Sequence, residues 1–112
     1  MSNTLTKHDR LSLALHQAVK EALANNPEQV INKGQKNLER WAEKFGYLPG
    51  WLIEWQSILT DGVSAINRVL DSTDEHSTLL RSSSPFAGVL SNKERMRIIH
   101  EQERQDTHRS RG

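Results

Sequence analysis

The sequence predicts an all-α protein: a small single-domain helical bundle of about five to six helices, with an irregular Ser/Pro/Gly segment before the last one. Three observations carry that expectation. Apolar residues recur at three- and four-residue steps through most of the chain, which is the period of a helix face. Helix-start and helix-stop residues punctuate those runs at Asn25-Asn26-Pro27, Gly46, Asp61-Gly62, Ser72-Thr73-Asp74-Glu75 and Ser91-Asn92-Lys93-Glu94. No stretch alternates apolar and polar residues as a half-buried strand does, and there is no internal repeat. At 112 residues the chain is one domain, able to bury a modest core.

The first helix is expected to begin near Thr6, with Leu5 as a hydrophobic staple, and to run to about Ala24. Leu11, Leu15, Ala18, Val19, Ala22 and Leu23 form its stripe. Asn26 then caps a second helix, Pro27 takes its first position, and Gln29 completes a capping box. That helix carries Val30, Ile31, Leu38, Trp41, Ala42 and Phe45 on one face. Gly34 lies near the same face, where it costs about 1 kcal/mol of helix stability against Ala and allows a close helix crossing. Gly46 stops the helix and Pro49 opens a third, with Trp51, Leu52, Trp55, Ile58 and Leu59 on its apolar side. Asp61-Gly62 breaks it. Val63, Ile66, Val69 and Leu70 mark a short fourth helix, and the Ser72–Glu75 capping-box pattern starts a fifth that delivers Leu79 and Leu80.

The next stretch, Arg81-Ser82-Ser83-Ser84-Pro85-Phe86-Ala87-Gly88-Val89-Leu90, interrupts the helical pattern. Pro85 has no backbone N–H and biases Ser84 away from the α region. A solvated linker has no reason to carry Phe86, Ala87, Val89 and Leu90, so these side chains must bury, either against the chain's own helices or against a partner. The Ser91–Glu94 signal begins the last helix, with Met96 and Ile99 on one side and Ile98 off that face. The domain is expected to span residues 1–101. Residues 102–112 have no apolar residue and are expected to fray or be disordered.

Composition narrows the function. A quarter of the residues are charged, yet the signs nearly cancel to +1, so no global attraction to nucleic acid or anionic lipid follows. There is no cysteine, which excludes disulfides, thiolate catalysis and thiolate-bound zinc. The N-terminal residues lack an apolar signal core, and no run approaches the ~18 apolar residues of a membrane span. A cytoplasmic protein is expected.

Catalytic patterns are absent. No histidine pair has the four-residue helical spacing that zinc sites use, and adjacent Asp74, Glu75 and His76 point in different directions from a helix. Ser82-Ser83-Ser84 has no glycine elbow or phosphate-cradling loop around it. Glu39 and Glu43 stand one turn apart beside Arg40 and Lys44, as a solvated ion-pair face does. No enzymatic activity, metal or cofactor is expected. Lys93, Arg95, Arg97, Arg104, Arg109 and Arg111 make the C-terminal region the most basic, but Glu94, Glu101, Glu103 and Asp106 dilute it. A DNA-binding autoregulator is the alternative reading. Trp41, Trp51 and Trp55 suit a core centre, although exposed tryptophans would instead anchor a partner.

The segments Leu5-Thr6-Lys7-His8-Asp9-Arg10-Leu11-Ser12-Leu13-Ala14-Leu15-His16, Asn37-Leu38-Glu39-Arg40-Trp41, Trp51-Leu52-Ile53-Glu54-Trp55, Leu80-Arg81, Ser84-Pro85-Phe86-Ala87-Gly88-Val89-Leu90 and Glu94-Arg95 together resemble a group of short bacterial proteins. Members of that group are the small, antitoxin-like partners in two-gene operons, often beside a nucleotidyltransferase-type protein. The likeness extends to about Ile99. Some members carry a separate DNA-binding segment, which is not legible here. The resemblance implies an antitoxin-like binding protein that neutralises a cognate toxin by direct contact. Arg81 to Ile99 would then be the docking arm. Phe86, Val89 and Leu90 would be its apolar anchors, Pro85 would restrict it before binding, and Gly88 would allow close backbone approach. Arg81 would give a charge-assisted contact, and Ser84 and Arg95 complete the expected contact set. The competing expectation is that residues 81–90 fold back and close the core.

Overall fold

The computed structural model describes residues 6–111, with side chains through Thr107. It contains six helices and, among the described residues, no strand: α1 (Lys7–Asn25), α2 (Pro27–Phe45), α3 (Gly50–Asp61), α4 (Val63–Asp71), α5 (Glu75–Ser82) and α6 (Asn92–Arg111). α1 is central and packs on α2, α4, α5 and α6, while α3 packs on α2 and α4. The core between them is built from Val19, Leu23, Val30, Leu38, Leu52, Trp55, Leu59, Ile66, Val69, Leu70, Leu80 and Phe86.

Local chemistry explains most of the boundaries. Thr6 caps α1: its hydroxyl accepts from the Asp9 amide at 3.0 Å and Asp9 reaches back to the Thr6 amide. The expected staple residue, Leu5, lies outside the described residues. Between α1 and α2 the capping box is not made. Asn26 serves both helices, its N–H closing α1 on the Ala22 carbonyl at 2.8 Å, and its backbone (φ −142°, ψ 70°) lacks the extended geometry from which a side chain caps. Gly62, at φ 104° and ψ −166°, ends α3 and starts α4 in a backbone region open essentially to glycine alone. The α5 cap falls on Asp74, whose carboxylate accepts from the Ser77 amide at 2.7 Å, and Ser72 instead accepts from the Asp74 amide. Leu80 enters the core but Leu79 is 62% exposed.

Gly34 is buried where α2 and α3 touch closely, as its place near the apolar face suggested: a Cβ there would stand 3.1 Å from Leu59 Cδ1. Two helices differ from the pattern. Phe45, assigned to the buried face, is 41% exposed. α6 continues past Glu101 to Arg111, where fraying was expected. It runs antiparallel to α1, and Arg10 donates from Nε and Nη2 to the Asp106 carboxylate at 3.1 and 2.8 Å. The tail is held by an ion pair in place of the apolar contact it lacks. Ile98 and Ile99 are both half-buried, so Ile98 is not the outlier its sequence position suggested.

Candidate binding groove

Residues 83–91 fold back over the bundle, and the contacts that hold them start from α2 and α3. Asn37 sits on the buried stripe of α2, three residues after Gly34 and four before Trp41. Its Nδ2 donates to the carbonyls of Pro85 (2.8 Å) and Ala87 (3.0 Å), and its Oδ1 accepts from Arg40 Nη2 at 2.6 Å. One buried amide thus satisfies two loop carbonyls that no helix could pair. The Phe86 ring meets Trp55 edge-to-face at 5.5 Å, and Trp55 Nε1 donates to the Leu80 carbonyl at 2.9 Å. Val89 N–H closes a turn on the Phe86 carbonyl at 3.1 Å, with Gly88 at φ +86°.

Arg81 does not face a partner. It is 3% exposed, and its Nη1 donates to the carbonyls of Val69 (2.7 Å) and Ser72 at the end of α4, while Nη2 reaches Thr78 Oγ1 at 3.2 Å. It binds the carbonyl end of a helix, where a cation is favoured. Burial pulls its pKa below the ordinary value, partly offset by Asp9 and Asp74. Pro85 and Phe86 are buried too, so neither side chain is a free anchor in this conformation. Val89 and Leu90 are half-buried against the core.

What remains accessible is a groove. Ser84, Gly88, Leu90 and Arg95 line an open concavity of about 530 Å³ with Leu15, His16 and Val19 of α1, floored in part by Phe86. His16 is 7% exposed. Its Nδ1 lies 2.7 Å from the Ser12 carbonyl, which can only accept, so Nδ1 carries the proton and Nε2 is left as an acceptor. Desolvation lowers the His16 pKa, opposed by the Ser12 bond and reinforced by Arg81, which keeps the ring neutral at pH 7. A second concavity of about 420 Å³ adjoins the first at Gly88 and is lined by Lys33, Lys36 and Val89. Lys33 lies across Gly88 closely enough that a Cβ there would come within 2.9 Å of its Cε.

Every residue of the expected contact set except Arg81 and Pro85 therefore borders this double groove. Lys33, Lys36, His16 and Asn37 were not anticipated. Asn37 alone left a signal, an amide in step with an apolar stripe. The tryptophans divide: Trp55 is fully buried, whereas Trp41 and Trp51 are half-buried and meet edge-to-face at 6.1 Å beside the exposed Phe45 and Tyr47. Among the described residues no group of three metal-ligating side chains converges, and no helix is long and apolar enough to cross a membrane. No family model matches the chain, and neither a curated protein nor a solved structure matches it.

Proposed function

We propose that this chain is a non-enzymatic, cytoplasmic binding protein of the antitoxin type, which neutralises a cognate toxin by contact through the groove around Gly88. The observation that supports it is the division of labour in residues 81–95. Arg81, Pro85 and Phe86 fix the segment to the bundle, and Ala87, Gly88, Leu90 and Arg95 are left along an accessible, partly apolar concavity. A binding surface built on a loop already held in place loses little conformational entropy on association.

The test is co-production with the product of the neighbouring gene. That product alone should arrest growth, the chain should relieve the arrest, and the two should co-purify in a fixed ratio. Ala87→Trp fills the groove from an exposed position without altering charge; it should abolish relief while circular dichroism shows the fold intact. Relief undiminished by a folded Ala87→Trp protein would overturn the groove as the contact surface. A neighbour that neither arrests growth nor binds would overturn the antitoxin reading itself.

A further inference from the structure

Resting on that binding reading, we infer that the groove takes a segment of the partner protein in which apolar residues are followed by acidic ones. The two concavities meeting at Gly88 differ in chemistry. The first has aliphatic and aromatic walls from Leu15, Val19, Phe86 and Leu90, with Arg95 at its edge. The second is polar and carries Lys33 and Lys36. Neither is lined by any Asp or Glu. Among the described residues none of Lys33, Lys36 and Arg95 is in an ion pair. Three cations and no carboxylate along the two adjoining concavities give their lining a net positive charge beside an apolar recess, on a chain whose charges otherwise nearly cancel. It is complementary to a segment with apolar side chains at one end and carboxylates at the other. Gly88, with no side chain of its own between the two halves, leaves room for Lys33 to lie across the loop at their junction.

Nucleic acid fits the same lining less well. The bases of a single strand would need exposed rings to stack on, and the groove walls are mainly aliphatic. A duplex would set its phosphate backbone against the apolar recess and leave Leu15, Val19 and Leu90 without an apolar partner.

The probe is a capped hexapeptide of three leucines followed by three glutamates, titrated into the isotope-labelled full chain and followed by NMR. Its counterpart with lysines for glutamates and a short DNA duplex are run alongside. The acidic peptide should shift the amides of residues 33–36 and 87–90, and the lysine peptide should not. Raising salt from ~50 to ~500 mM should weaken binding at least tenfold. The triple variant Lys33→Glu, Lys36→Glu, Arg95→Glu, all at exposed positions, should lose binding by a similar factor. Equal binding of both peptides, no shifts, or stronger shifts with DNA would each overturn the inference. The toxin-relief assay separates the two levels. A triple variant that still relieves arrest, beside an Ala87→Trp protein that does not, sinks the acidic segment and leaves the binding groove standing. Loss in neither variant sinks both.

Discussion

Replacing Arg81 by Met separates a structural arginine from an interface arginine. Met keeps the length and apolar stem but removes the guanidinium that satisfies the Val69 and Ser72 carbonyls. A buried carbonyl left unpaired costs about 1–3 kcal/mol. The Val69 carbonyl is buried and the Ser72 carbonyl part-buried, so the two would cost about 2–5 kcal/mol, of which relief from desolvating a cation offsets part, and a net loss of about 2–4 kcal/mol is expected. At about 2.1 cal/mol/K per residue the unfolding entropy of 112 residues is about 0.24 kcal/mol/K, so Tm should fall by about 8–17 °C. Urea titration followed by circular dichroism and tryptophan fluorescence measures the loss, and an unchanged m-value shows that stability alone has moved. A variant within about 0.5 kcal/mol of the parent would refute the reasoning. The interface alternative predicts that pattern: normal stability with lost toxin relief.

Four further outcomes follow from the same contacts. Asn37→Ala should cost about 1–3 kcal/mol and raise amide exchange across residues 85–90, because the Pro85 and Ala87 carbonyls lose their donor; unchanged exchange there would show that the loop is held by packing alone. Gly34→Val should destabilise by about 1–3 kcal/mol in thermal melts, since even a Cβ meets Leu59 at 3.1 Å. His16 gives the pH dependence: burial holds its pKa below 6.5 in the folded chain, so the unfolded chain binds the proton first as pH falls. The stability tied to a neutral His16 is complete above that value, declines below it and levels off under the folded-state pKa, and His16→Gln should flatten that decline in urea midpoints measured from pH 7.5 downward. Asp106→Asn should speed amide exchange over residues 102–107 while leaving α1 to α5 protected, because it weakens the ion pair holding the end of α6.

The order and type of the helices were legible because they depend on neighbours in the chain. Gly46, Gly62 and Pro27 act through their own backbone geometry, and the three-to-four-residue apolar step marks a face wherever the helix finally packs. That Phe86, Val89 and Leu90 must bury at least in part was equally local, since they have no other use beside Pro85, although Ala87, expected to bury with them, is exposed. Where they bury was not local. It depends on Asn37, 48 residues before Pro85 and joined to it by one hydrogen bond. Arg81 looked like a ready charge for a partner until α4 brought two carbonyls to it, and residues 102–107 looked unanchored until Asp106 met Arg10 from the other end of the chain. The groove is divided: Ser84, Phe86, Gly88, Val89, Leu90 and Arg95 were legible in the sequence, but what faces them was not. Lys33, Gly88 and Arg95 lie on three separate segments, and they come to line adjoining concavities only once the loop has closed over α1 and α2. Short-range sterics and periodicity set the helices of this protein, and long-range pairing of polar groups across the bundle decided which residues became core and which were left to form a surface.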